Sequence, residues 1–130
     1  MIEIAKRKKI YDRLEKQDIV DFMSGTSERY DLIIAAEVFL YVGKLNSVFQ
    51  TLQKCLETSG LFIFSSERSK NSDFLLTPSG RYAHSQTYIR LLAEQTGFRL
   101  EDCQYKKIRR GENQWVCGDY YILRYLGNRK

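Results

Sequence analysis

Two short, almost unbroken apolar runs with an amphipathic segment between them, Tyr30–Ala36 and Leu61–Ser66, constrain this chain more than any other feature. The first, Tyr30-Asp31-Leu32-Ile33-Ile34-Ala35-Ala36, does not alternate. A run of that kind predicts a strand covered on both faces, as in a parallel sheet. The second, Leu61-Phe62-Ile63-Phe64-Ser65-Ser66, reads the same way. Between them Val48, Phe49, Leu52, Cys55 and Leu56 have the spacing of one helical face. Asn46 or a neighbour can start that helix, and Ser59-Gly60 is expected to end it. Strand, helix and strand in this order predict a right-handed crossover unit.

The rest of the pattern extends an α/β reading. Ile2, Ala5 and Ile10 suit the tail of a helix entered without a capping residue, and Leu14–Gln17 is a brief strand candidate. Asp18 precedes a short helical turn through Ile19, Val20, Phe22 and Met23. Downstream, Phe74–Thr77 reads as a short strand. Ser85–Thr96 reads as a helix with Tyr88, Ile89, Leu92 and Ala93 on one face, closed by Gly97. Phe98–Ile108 and Trp115–Leu126 flank the turn Gly111-Glu112-Asn113 and predict an antiparallel hairpin. With 130 residues and no linker, the expectation is one domain spanning residues 1–130.

Charge and cysteine usage narrow the function classes. The net charge is +5, but the basic residues are scattered apart from Lys6–Lys9 and Lys106–Arg110, and such runs read as solvated faces. The aromatic–basic interleaving of a nucleic-acid-binding motif is absent, so nucleic acid is not an expected partner. Cys55, Cys103 and Cys117 are far apart and offer no CxxC pair, so neither a metal nor a redox site is expected. Unpaired thiols fit a reducing compartment, and a cytoplasmic location is expected. No apolar run approaches the roughly 20 residues needed to span a bilayer, so no membrane partner is expected. No G-x-S-x-G elbow, P-loop or H-E-x-x-H is present.

Several stretches resemble class I S-adenosylmethionine-dependent methyltransferases. Tyr30–Val38 followed by Phe39-Leu40-Tyr41-Val42-Gly43 is similar to that family's fourth strand and the loop after it. Leu56-Glu57-Thr58-Ser59-Gly60 and Leu61–Ser65 resemble its L-x-x-G-G turn and fifth strand, with Ser59 where the pattern has glycine. The segment Ala5–Phe22 is similar to the approach to the third strand. Pro78-Ser79-Gly80-Arg81-Tyr82-Ala83-His84-Ser85, with Tyr88, resembles a bacterial subgroup often joined to tetratricopeptide repeats. The resemblance implies a partial Rossmann-like α/β fold: a mostly parallel sheet, helices on both faces and a carboxyl-terminal antiparallel hairpin. It implies S-adenosylmethionine as cofactor and a small-molecule or protein methyl acceptor.

One departure from the family matters. Its cofactor loop is a glycine-rich turn after the first strand, where glycine lets the backbone approach the ligand. The glycines here are Gly25, Gly43, Gly60, Gly80, Gly97, Gly111, Gly118 and Gly127, and none lies close to another. The first two strands and their loop are therefore expected to be missing, with the chain truncated relative to the family and weakly active or inactive alone. In the family the first strand lies beside the fourth. Without it the edge at Tyr30–Ala36 would be bare, and a bare apolar edge pairs with something. A homodimer or a partner protein on that edge is the expectation, and an interaction module is the alternative function.

Candidate site residues follow. The resemblance places Asp18 at the adenine amino group, with Ile19 beside it; the same Asp18 suits a helix cap. It places Ala36 and Glu37 at the carboxyl end of the fourth strand, near the methionine end of the cofactor. Glu37 reads equally as a solvated loop carboxylate. Tyr41 lines the substrate cleft or packs in the core. His84, the single histidine, suits a general base or a helix cap. Arg81 can grip a carboxylate or phosphate as a fork, and Tyr82 lies beside it in the expected substrate segment. Trp115 and Tyr120, Tyr121 and Tyr125 suit hairpin packing or an interface.

Overall fold

A computed structural model describes residues 23, 25, 28–36, 38–111 and 114–127. The expected strand at Leu14–Gln17, the turn after Asp18 and the side chains of Asp18, Ile19 and Glu37 lie outside the described residues. The first apolar run forms β1 (Tyr30–Ala35), which leads into a single 3₁₀ turn at Phe39–Tyr41. Then come α1 (Asn46–Cys55), β2 (Leu56–Arg68), β3 (Phe74–Leu76) and β4 (Tyr82–His84). The order closes with α2 (Gln86–Gln95), β5 (Phe98–Arg110) and β6 (Trp115–Tyr125).

β2 is the central strand. One of its edges carries β1, parallel along Leu61–Phe64, and then β4, parallel at Glu67 and Arg68. Its other edge carries β6, antiparallel from Leu61 to Glu67, and β5 lies outside β6. β3 pairs antiparallel with β4. The sheet is therefore mixed, not mostly parallel as expected, because both hairpins add antiparallel strands to a short parallel core.

One face of this sheet makes the core. Ile33 and Ala35 of β1, Phe62 and Phe64 of β2, and Tyr121 and Leu123 of β6 share that face through the strand register. α1 and α2 both pack against it, with Val48, Phe49, Leu52 and Cys55 on one helix and Ile89, Leu92 and Ala93 on the other. Phe49 meets Phe62, Phe64 and Phe98 edge-on at 6.0, 6.2 and 5.7 Å between ring centroids. Truncating such a ring to alanine costs about 3–5 kcal/mol.

The opposite face carries apolar side chains of β1, β2 and β6. Among the described residues no helix covers it. Leu32 and Ile34 of β1 are 48% and 61% exposed, beside partly exposed Leu61, Ile63 and Ile122. Among the described residues, the apolar run at Tyr30–Ala36 thus packs Ile33 and Ala35 into the core and leaves Leu32 and Ile34 exposed.

Two local boundaries also differ. α1 stops at Cys55, and Leu56 is already extended, so Ser59-Gly60 lies within the strand rather than at the helix end. Ser59 takes φ of 72°, the left-handed backbone that the glycine of the resembled pattern would adopt without strain. Tyr82–His84, assigned to no element from the sequence, forms strand β4.

Candidate functional site

The carboxyl ends of β1 and β2 are the place to look, since ligands of open α/β sheets sit outside those ends. At the end of β1, Ala36 and Tyr41 are both exposed, Tyr41 by 78%. Tyr41 therefore does not pack in the core. Tyr82 is half-buried, its ring 6.4 Å from that of Phe74 and packed over Gly43, so it supports the loop after β1.

At the end of β2 lies a cleft of about 870 Å³, lined by Glu67, Ser79, Arg81, Arg109, Arg110, Gly111, Gln114 and Val116. One wall is the β3–β4 turn. There the Thr77 N–H and hydroxyl both donate to the Arg81 carbonyl at 2.8 Å, and the Gly80 N–H donates to Thr77 O at 2.9 Å. The other wall is the β5–β6 turn, closed by the Gly111 N–H on Gln114 O at 2.8 Å. The floor is Glu67, whose carboxylate takes a 2.7 Å bond from Arg109.

His84, the last residue of β4, is fully buried. Its Nε2 lies 2.8 Å from Val42 O and 2.9 Å from Gly43 O, so Nε2–H is shared between two carbonyls. Nδ1 is then the acceptor for Ser66 Oγ–H at 2.5 Å, a tautomer assigned from this network. Burial holds the imidazole pKa below its ordinary value, although the two carbonyls pull the other way. The neutral ring ties the end of β2 to the loop after the 3₁₀ turn. The cap of α2 is Ser85, whose hydroxyl accepts from Tyr88 N–H at 3.0 Å.

A second buried group was not foreseen. Asp119 is fully buried and accepts two bonds from Arg68, at 2.6 and 3.1 Å, and one from Gln86 Nε2 at 3.0 Å. Arg68 also lies over the Tyr105 ring, 4.2 Å from its centroid. Removing Arg68, itself partly exposed, would leave the buried Asp119 carboxylate with Gln86 as its one remaining strong donor among the described residues. The signal in the sequence was an aspartate at an inward position of an alternating strand, between Cys117 and Tyr121. Cys55 and Cys103 have thiol pKa values raised chiefly by burial, which keeps them protonated and unreactive. Among the described residues no cluster of His, Cys, Asp or Glu could hold a metal ion, and no helix is long and apolar enough to cross a membrane.

A nucleoside cofactor needs a backbone cradle. With no glycine-rich turn in the sequence, and with Ala36 and Tyr41 open to solvent, the described residues do not by themselves fit S-adenosylmethionine. Of the residues placed near it by resemblance, only Ala36 is described.

No family model matches this sequence, and no curated protein sequence matches it. Solved structures do. An S-adenosylmethionine-dependent methyltransferase from Methanosarcina mazei is 12% identical, with a TM-score of 0.64 over 82% of this chain and 65% of that one. TehB from Haemophilus influenzae is 11% identical, with a TM-score of 0.69 over 95% of this chain and 44% of its own. The N-methyltransferase NodS from Bradyrhizobium japonicum, in complex with S-adenosylhomocysteine, is 22% identical, with a TM-score of 0.68 over 93% of this chain and 59% of its own. The chain thus spans less than two thirds of each. At these identities the likeness establishes the fold, which is the α/β fold of S-adenosylmethionine-dependent methyltransferases.

Proposed function

We propose that these residues are the carboxyl-terminal part of an S-adenosylmethionine-dependent methyltransferase domain and build its cofactor site only in part. The carrying observation is the strand order: β1, β2, β6 and β5 lie side by side, with the final hairpin antiparallel, on a fold shared with methyltransferases. On this reading Asp18, Ile19, Ala36 and Glu37 contact the cofactor, and the acceptor lies toward Tyr41, Arg81 and Tyr82. His84, neutral and enclosed, positions the loop between β1 and α1 rather than moving a substrate proton. The stretch Pro78–Ser85 supports the narrower assignment to the bacterial subgroup joined to tetratricopeptide repeats. Three unpaired cysteines support a cytoplasmic setting.

A second reading, an interaction module or dimer that completes the sheet, rests on β1. Among the described residues its outer edge has no strand partner, and Leu32 and Ile34 stand exposed beside it. Calorimetric titration of S-adenosylhomocysteine, with mass read by light scattering, separates the readings. The methyltransferase reading predicts no micromolar site on the monomer and saturable binding in a species heavier than one 15.3 kDa chain. Micromolar binding by the monomer contradicts the partial site. A dimer that ignores the cofactor leaves the interaction module.

A further inference from the structure

Among the described residues, the cleft at the end of β2 carries more guanidinium groups than its one described ion pair uses. Among the described residues three guanidinium groups, from Arg81, Arg109 and Arg110, and one carboxylate, from Glu67, line it, a difference of two positive charges. Arg109 answers Glu67, and the pair is largely buried, at 17% and 16% side-chain exposure. Arg110 rests near the Trp115 ring, 5.7 Å from its centroid. Arg81 has no ion-pair partner among the described residues, yet its backbone is pinned by the Thr77 turn. Ser79 and Gln114 add neutral donors from the two walls. The volume, about 870 Å³, falls in the range of small-molecule sites.

We propose that this cleft is an anion site that holds a phosphate or carboxylate group of the methyl acceptor, with Arg81 as the gripping fork and Arg109, held by Glu67, as the fixed one. The word acceptor rests on the methyltransferase reading; the anion site rests on the cleft itself. Guanidinium is suited to the task because its planar fork donates two parallel bonds to such a group. The carboxyl-terminal end of a central strand is also where a sheet of this kind presents its ligands.

The test is a titration of the chain with inorganic pyrophosphate and, separately, with citrate, at constant ionic strength. Arginine Hε and backbone amide signals are followed by NMR. Saturable shifts at Ser79, Arg81, Arg109, Arg110 and Gln114 are expected, and the tighter probe tells phosphate from carboxylate. Arg81→Ala should weaken binding about tenfold or more, and Arg81→Lys should fall between, having charge without the fork. Arg99→Ala removes the same charge at the far end of the hairpin and should change nothing. Shifts that stay linear, spread over all surface arginines, or survive Arg81→Ala overturn the site. S-adenosylhomocysteine binding, read on the same samples, keeps the two proposals apart. Cofactor bound without anion overturns the cleft alone. Anion bound without cofactor, in any assembly, overturns its assignment to a methyl acceptor.

Discussion

Lowering the pH below 6.5 should weaken this fold through one side chain, His84. It is the only histidine, so every imidazole signal belongs to it. In the native chain burial depresses its pKa, while in the unfolded chain it returns to the ordinary value of 6.5. Above that value both states carry neutral imidazole, and the full contribution of the buried ring is present. As the pH falls through 6.5 the unfolded chain takes up a proton that the native chain refuses. Stability then drops by up to about 1.4 kcal/mol per pH unit until the native pKa is reached. Replacing the ring removes the shared donor of the Val42 and Gly43 carbonyls, at roughly 1–3 kcal/mol for a group left unpaired, so His84→Gln should cost about 2–4 kcal/mol in all. Urea unfolding of both chains between pH 7.5 and 5, above the main carboxylate range, reads slope and offset together. The wild-type slope should vanish in the variant, and imidazole ¹⁵N shifts should keep the Nε2–H neutral form below pH 6.5. A ring that titrates at 6.5 or above, or a slope that persists in His84→Gln, refutes this reasoning.

Three further outcomes follow from local geometry. Gly118→Ala should destabilise by about 2 kcal/mol or more, measured by denaturant unfolding, because its Cβ would lie 2.4 Å from the Ser66 carbonyl and 2.3 Å from Ile108. Ser59→Gly should stabilise by about 0.5–1 kcal/mol by removing a side chain from left-handed backbone, seen as a raised Tm. Tyr121→Phe should be neutral or stabilising by about 1 kcal/mol, since the Tyr121 hydroxyl is buried without a hydrogen-bond partner among the described residues. A clear loss of stability would mean that the hydroxyl is satisfied.

The elements with a strong local signal were legible before any coordinates. The buried stripe of α1, the face and Gly97 terminus of α2, and the closing hairpin follow from spacing and turn residues alone. What failed depends on distant chain. Leu32 and Ile34 are as apolar as Ile33 and Ala35, and nothing within the run says which pair the described helices cover. His84 is enclosed by Val42 and Gly43, about forty residues earlier in the chain, so its burial could not be read from its neighbours. The run from Lys106 to Arg110 read as a solvated charge cluster, yet the strand pairing turns Arg109 toward Glu67 and the cleft. Ser59 is the converse case: the resemblance marked a glycine position, and the backbone there is left-handed.

The central claim is that these residues form the acceptor-side part of a methyltransferase fold, with the cofactor meeting the carboxyl end of β1. Amide NMR with millimolar S-adenosylhomocysteine tests it most directly. The account predicts weak, fast-exchange shifts confined to Asp18, Ile19 and the stretch from Ala35 to Tyr41. Shifts that arise only elsewhere, or none at any concentration and in any assembly, would contradict it.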